Sequence, residues 1–214
     1  MTTRGVKKKA AAPRRRAYHH GDLRQALVDA TLKLIEVEDV GAVSLREVAR
    51  RAGVTAAAPY HHFRDKDALL AAVAEEGYRD LNQRMDEALA STRPPRTDLQ
   101  LRALAQCYVR FAVEHPAHYR VMFRREWSDE EKYAGLHTEG MRAYGRLQVL
   151  AQEAKQATGD KVDMDTLAFT IWAWVHGLAA LWNEGPLRKK SRSDSIEPLL
   201  ERSTDLFLGW VMAK

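Results

Sequence analysis

The sequence predicts an all-α protein: an N-terminal three-helix unit built on a helix-turn-helix, then a larger helical body, about nine helices in all. Three observations predict it. Ser44 to Lys66, SLREVARRAGVTAAAPYHHFRDK, reads as two short capped helices joined at Gly53. Apolar residues recur at three- and four-residue spacing through most of the chain beyond Lys66. No segment outside the first residues shows strand alternation, an internal repeat or a long low-complexity run.

Residues 1–18 form a basic arm. Arg4, Lys7, Lys8, Lys9, Arg14, Arg15 and Arg16 all precede the first acid, Asp22; without those seven the formal charge falls from +5 to −2. With no apolar pattern, such a stretch is expected to be disordered alone. Two readings stand side by side: an arm that follows phosphates or enters a minor groove, and a solvated extension that adds only non-specific affinity.

Residues 19–65 are expected to form the helix-turn-helix domain. Its first helix carries Leu23, Leu27, Ala30 and Leu34 on one face. Ser44 caps the second helix, and Glu47 three residues on completes an S-x-x-E capping box. Leu45, Val48, Ala49 and Ala52 share one face, and Gly53 supplies the left-handed residue that ends it. Thr55 is expected to cap the third helix, with Phe63 as its apolar anchor. Ala56, Ala57 and Ala58 keep that helix narrow enough for a major groove about 12 Å wide, where an alanine methyl can meet a thymine methyl. The candidate DNA contacts are Ser44, Arg46, Thr55, Ala56, Ala57, Tyr60, His61 and Lys66, with Arg14, Arg15 and Arg16 on the arm. A plain helical hairpin with alanines in a core fits less well, because Tyr60-His61-His62 and Arg64-Asp65-Lys66 stand beside few large apolar residues.

Residues 66–214 are expected to form the helical body. A fourth helix starts at Lys66 behind the cap Asp65, buries Leu69, Leu70, Val73, Leu81 and Met85, and stops before Pro94-Pro95. A fifth runs from about Asp98 through Leu101, Leu104, Tyr108 and Phe111 to His115, and Pro116 opens a short sixth with Tyr119, Met122 and Phe123. Ser128 with Glu131 reads as a second capping box, starting a seventh helix that ends near Gly159. Asp163 or Asp165 caps an eighth, ended by Gly185-Pro186. A polar loop, Arg188 to Ser195, leads into a last helix ending near Met212.

Residues 21–70 resemble the N-terminal domain of the TetR family of bacterial transcriptional regulators. The resemblance lies in GDLRQALVDATLKLI, the Gly41 turn, SLREVARRAGVT and YHHFRDKDALL. One departure is Pro59, where the family more often has leucine. Lacking an N–H, it removes the first regular backbone bond, to the Thr55 carbonyl, so the recognition helix is expected to bend or tighten at its start. Trp174 to Gly177, within WAWVHGLAALW, resembles the Trp-x-His-Gly signature of the WHG group of TetR C-terminal domains.

The resemblance implies a homodimer joined by the last two long helices, with Phe169, Trp172, Leu206, Phe207, Leu208, Trp210 and Val211 as apolar surface. It also implies a pocket for a small hydrophobic or planar effector among the fifth to eighth helices. Tyr108, Phe111, Met122, Phe123, Trp127, Tyr144, Trp172 and His176 are its candidate lining, although any single one of them suits an ordinary core better. The implied function is a sequence-specific regulator, a repressor released from a palindromic operator of double-stranded DNA. The alternative is a DNA-binding protein with no small effector, controlled by a protein partner or acting as an activator.

Other classes find little support. The chain has no P-loop, no G-x-G-x-x-G after a strand, no G-x-S-x-G and no H-E-x-x-H, so no catalytic residues and no cofactor are expected. His115 and His118 are three apart, but Pro116 between them marks a helix boundary sooner than a metal site. Lone Cys107 excludes an intramolecular disulfide and fits a reducing cytoplasm. The longest apolar run, Leu167 to Leu181, is interrupted by His176 and reads as too short to span a bilayer; no apolar signal segment opens the sequence. The expected location is the cytoplasm, on the nucleoid when bound to operator.

Overall fold

The computed structural model describes residues 20–159 and 163–212, and the arginines of the basic arm lie outside them. The described residues form nine α-helices and no strand: α1 (His20–Val37), α2 (Leu45–Arg51), α3 (Lys66–Ser91), α4 (Thr97–Glu114), α5 (Pro116–Met122), α6 (Ala134–Thr158), α7 (Met164–Asn183), α8 (Pro186–Ser191) and α9 (Glu197–Val211). The total matches the expectation but the membership does not. The expected third helix is a 3-10 segment, Ala58–His61, so the expected fourth is α3.

Two other local expectations fail. Ser128 caps nothing; it closes a 3-10 turn, Arg125–Ser128. Asp129 takes the next turn by accepting from the Lys132 amide at 2.9 Å, and α6 starts only at Ala134. Aspartate competes well for such orphan amides, so the serine one residue earlier misleads. The stretch read as a polar loop holds α8, begun by Pro186 at its first turn. Asp163 is the cap of α7, accepting from the Thr166 amide.

A single apolar core runs from Leu27 in α1 to Val211 in α9. Its axis is α3, 26 residues long, which packs on α1 at its start and on α4, α5 and α6 along its length. Gly77 lets α5 approach: a Cβ there would stand 2.9 Å from Met122 Sδ and 3.0 Å from His118 Cβ. Further along, buried Asn82 ties α3 to α6, donating to the Glu139 carbonyl at 2.9 Å and accepting from Arg146 Nη1 at 2.6 Å. Arg146 also reaches Asp86, so this buried amide has charged partners on both of its polar atoms.

The apolar run read as too short becomes α7, whose 20 residues are long and apolar enough to cross a membrane by length and composition. It packs instead on α4 and α6 through Leu167, Ile171, Val175, Ala179 and Trp182.

Candidate DNA-reading surface and internal cavity

The reading surface starts with α2. The Ser44 hydroxyl accepts from the Glu47 amide at 3.2 Å, but Glu47 does not return the bond. Its carboxylate accepts from Arg50 Nε at 2.8 Å and Nη2 at 2.6 Å and from Arg51 Nε at 2.9 Å, while Arg51 also reaches Glu38. Three charge-assisted bonds outweigh one to a backbone amide, so the capping box is half made. Hydrogen bonds from Arg50 and then Arg51 lower the Glu47 pKa from 4.5 to about 2.

A depressed carboxylate pKa stabilises the fold above the unfolded value, and that stability is lost as pH falls through the folded value. Glu47→Gln is therefore expected to flatten the pH dependence of thermal unfolding between pH 4.5 and 2, most visibly at low salt. Melting curves across that range check it.

After α2 the chain turns on Gly53, at φ +70°. The Val54 amide donates to the Ala49 carbonyl at 3.0 Å and the Gly53 amide to Arg50 at 3.2 Å, the paired bonds of a Schellman cap. Thr55 makes no side-chain cap; the next segment begins behind Ala57 without one. The reason is Pro59. The Thr55 carbonyl that its missing N–H leaves free is taken by Ala58 at 3.0 Å, and Tyr60 bonds Ala57 at 3.2 Å, both three residues back. That spacing makes a 3-10 turn in place of an α-helix. Pro59 itself is buried, as is Phe63, whose ring lies 5.4 Å from the Arg24 guanidinium.

Ser44, Arg46, Thr55, Ala56, Ala57, Tyr60 and His61 are all exposed. Ser44, Arg46 and Ala56 border one shallow depression together with Arg50, which the sequence reading did not name. Lys66 is half-buried, its Nζ donating to the Gly41 carbonyl at 3.2 Å.

Behind the reading head, α3, α4, α5, α6 and α7 and the turn from Phe123 to Ser128 line a partly open apolar cavity of about 1040 Å³. Tyr108, Met122, Phe123, Trp127, Tyr144, Trp172 and His176 line it; Phe111 does not. Phe111 is 1% exposed and turns into the core, stacked on His115 at 5.1 Å. Tyr108 and Phe111 both face inward on α4, and three residues of rotation separate cavity wall from packed core. Met85, Leu101, Leu104 and Leu147 also line the cavity, with nothing in the sequence to distinguish them from core leucines and methionines.

The polar groups at one end are neutral. His176 Nδ1 lies 2.8 Å from the Tyr108 hydroxyl and 3.0 Å from that of Tyr119. Burial lowers the His176 pKa, raises Tyr119 to about 12 and raises Tyr108 well above its usual value. Trp127 donates its indole N–H to the Val121 carbonyl at 2.6 Å, which fixes its ring in the wall.

The expected dimer residues separate into three groups. Leu206 and Trp210 are 79% and 64% exposed on α9, and Phe207 stacks on Trp174 at 4.5 Å. Phe169 is 53% exposed, yet stacks on Tyr144 and lines the cavity, as Trp172 also does. Leu208 and Val211 are buried core and offer no free surface.

Helix α5 joins cavity to reading head. Met122 lines the cavity and the Tyr119 hydroxyl meets His176 of its wall, Arg120 Nη1 donates to the Ile35 carbonyl of α1 at 2.9 Å, and His118 meets Glu76, which accepts from Gln25 of α1. Among the described residues no cluster of three His, Cys, Asp or Glu side chains is arranged to hold a metal ion.

Residues 27–73 match the family model described as bacterial regulatory proteins of the tetR family, and residues 101–207 match the tetracyclin repressor-like C-terminal domain. The chain is 26% identical to the uncharacterized HTH-type transcriptional regulator YobS of Bacillus subtilis, over 74% of this chain and 93% of that one. It is similar in structure to a protein of unknown function from Rhodococcus sp. RHA1, at TM-score 0.75 and 29% identity, covering 91% and 97% of the two chains. The fatty acid degradation regulator FadR from Bacillus halodurans shares the fold at TM-score 0.70 and 14% identity, covering 92% and 100%. A helix-turn-helix reading head, an all-helical body and matches to both family models agree: the chain belongs to the TetR family and is a DNA-binding transcriptional regulator.

Proposed function

We propose that this regulator is a cytoplasmic homodimer that represses transcription from a palindromic operator and is released by a small hydrophobic or aromatic effector. The observation that carries the reading is the apolar cavity of about 1040 Å³, since a regulator without an effector has no need to leave its core open. In this reading residues 19–65 read DNA, residues 1–18 add phosphate contacts, and residues 66–214 bind effector and dimerise through α7 and α9. Exposed Leu206 and Trp210 supply apolar surface for that contact, and Phe169 brings it to the cavity edge.

The proposed mechanism is a population shift. Effector in the cavity favours one arrangement of α5, and α5 is bonded to α1 through Arg120 and, by way of Glu76, through His118. A ligand moves such an equilibrium only by its difference in affinity for the two states, and tenfold release from operator needs about 1.4 kcal/mol.

Selection of bound sequences from a random duplex pool at near-physiological salt tests the reading. The expected product is a palindrome with half-sites about 34–36 Å apart or slightly more, the spacing of successive major grooves. Salt-sensitive binding with no enriched motif would leave the arm as the main DNA contact and end the operator claim.

A further inference from the structure

The cavity carries charge of one sign only. Arg124 and Arg125 line it, and no aspartate or glutamate does. Arg124 Nη2 pairs with the Glu126 carboxylate, which is exposed and outside the lining. Its Nε is shielded from solvent and has no hydrogen-bond partner in the protein. A second lining group, the Tyr144 hydroxyl, is in the same position. Both can donate a hydrogen bond, and a guanidinium Nε can do nothing else. Leaving a buried donor unmet costs free energy that an acceptor on a ligand recovers.

The aromatic faces of the wall can attract a cation, but Arg124 and Arg125 on the same wall repel one. His176 is held neutral by burial and occupied by two tyrosine hydroxyls. An ammonium ligand would meet two guanidinium groups and no carboxylate to pair with. A wholly apolar ligand would leave Arg124 Nε and the Tyr144 hydroxyl as they are.

We infer that the effector is an apolar organic carboxylate, its acid group accepting from Arg124 Nε and its hydrocarbon body lying against Leu104, Phe123 and Trp172. This rests on the reading of the cavity as an effector site.

Three probes with one planar body separate the possibilities: 1-pyrenebutanoate, 1-pyrenebutanol and 1-pyrenebutylamine. Each is titrated into the full-length protein at 0.15 M salt, with binding read as energy transfer from tryptophan to pyrene; Trp127 and Trp172 stand in the cavity wall. The acid is expected to bind about tenfold or more tighter than the alcohol, as a charge-assisted bond to arginine provides, and the amine weakest of all. Arg124→Met is expected to bring the acid down to about the alcohol's affinity, and its melting curve beside that of the unaltered protein shows that the variant is folded.

An alcohol that binds as tightly as the acid overturns the inference and leaves the effector site standing, as does an acid preference that survives in Arg124→Met. Should Arg124→Met fail to fold, the comparison of the three probes on the unaltered protein still decides. Binding of none of them removes the effector site, and the inference with it.

Discussion

Ala57→Glu is expected to abolish operator binding while leaving the fold unchanged. Ala57 is exposed at the start of the 3-10 segment, with no side-chain bond to lose. A surface change of this kind alters stability by about 0.5 kcal/mol or less. At a DNA surface the same carboxylate faces the phosphates and loses the apolar contact open to an alanine methyl. At about 2 kcal/mol per half-site, counted twice in the proposed dimer, the loss is about a thousandfold. Binding to the selected operator, measured beside thermal melting, checks both halves. Retained binding would remove residues 55–61 from the groove and give the reading role to Ser44, Arg46 and Arg50 around their common depression.

The largest expected effect on stability is that of Phe111→Ala. Phe111 is almost wholly buried, with the His115 ring stacked on it and the Arg84 guanidinium 6.0 Å from its centroid. Removing such a ring costs about 3–5 kcal/mol, because the surroundings close only partly around the gap. For a chain of this length that is a fall of about 10 °C in Tm. The affinity of 1-pyrenebutanol is expected to stay unchanged, since Phe111 is not part of the cavity wall. A variant that melts normally but loses the probe would return Phe111 to the effector site and contradict its packing.

The turn at Gly53 was legible because a positive φ favours glycine at one defined place. The irregular recognition segment was half legible: a missing N–H at Pro59 predicted a tightened start, and the whole segment proved to be 3-10. Local cap chemistry was less dependable. Ser44 makes its half of the capping box while Glu47 turns to Arg50 and Arg51, and Ser128, in a motif of the same form, gives way to Asp129 next door. A cap motif says which amides can be satisfied; neighbours competing for those amides decide the outcome.

For the cavity the sequence marked inward faces and no more. Tyr108 and Phe111 carry the same periodic signal, and so do Leu101 and Leu104 beside them. Arg124 gave no signal, being one basic residue among many, and only burial of its Nε sets it apart. Phe169 was legible as exposed apolar surface; its second place in the cavity wall was not.

By itself the sequence determined the helical class, the reading head with its glycine turn, and most helix boundaries, because each arises from bonds and periodicities within a few residues. Tertiary structure alone decided where the core stops and a cavity begins, which arginine donor is left without a partner, and how α5 ties that cavity to α1. Those outcomes depend on how α1, α3, α4, α6 and α7 stand against one another, and that relation comes from packing between residues far apart in the chain.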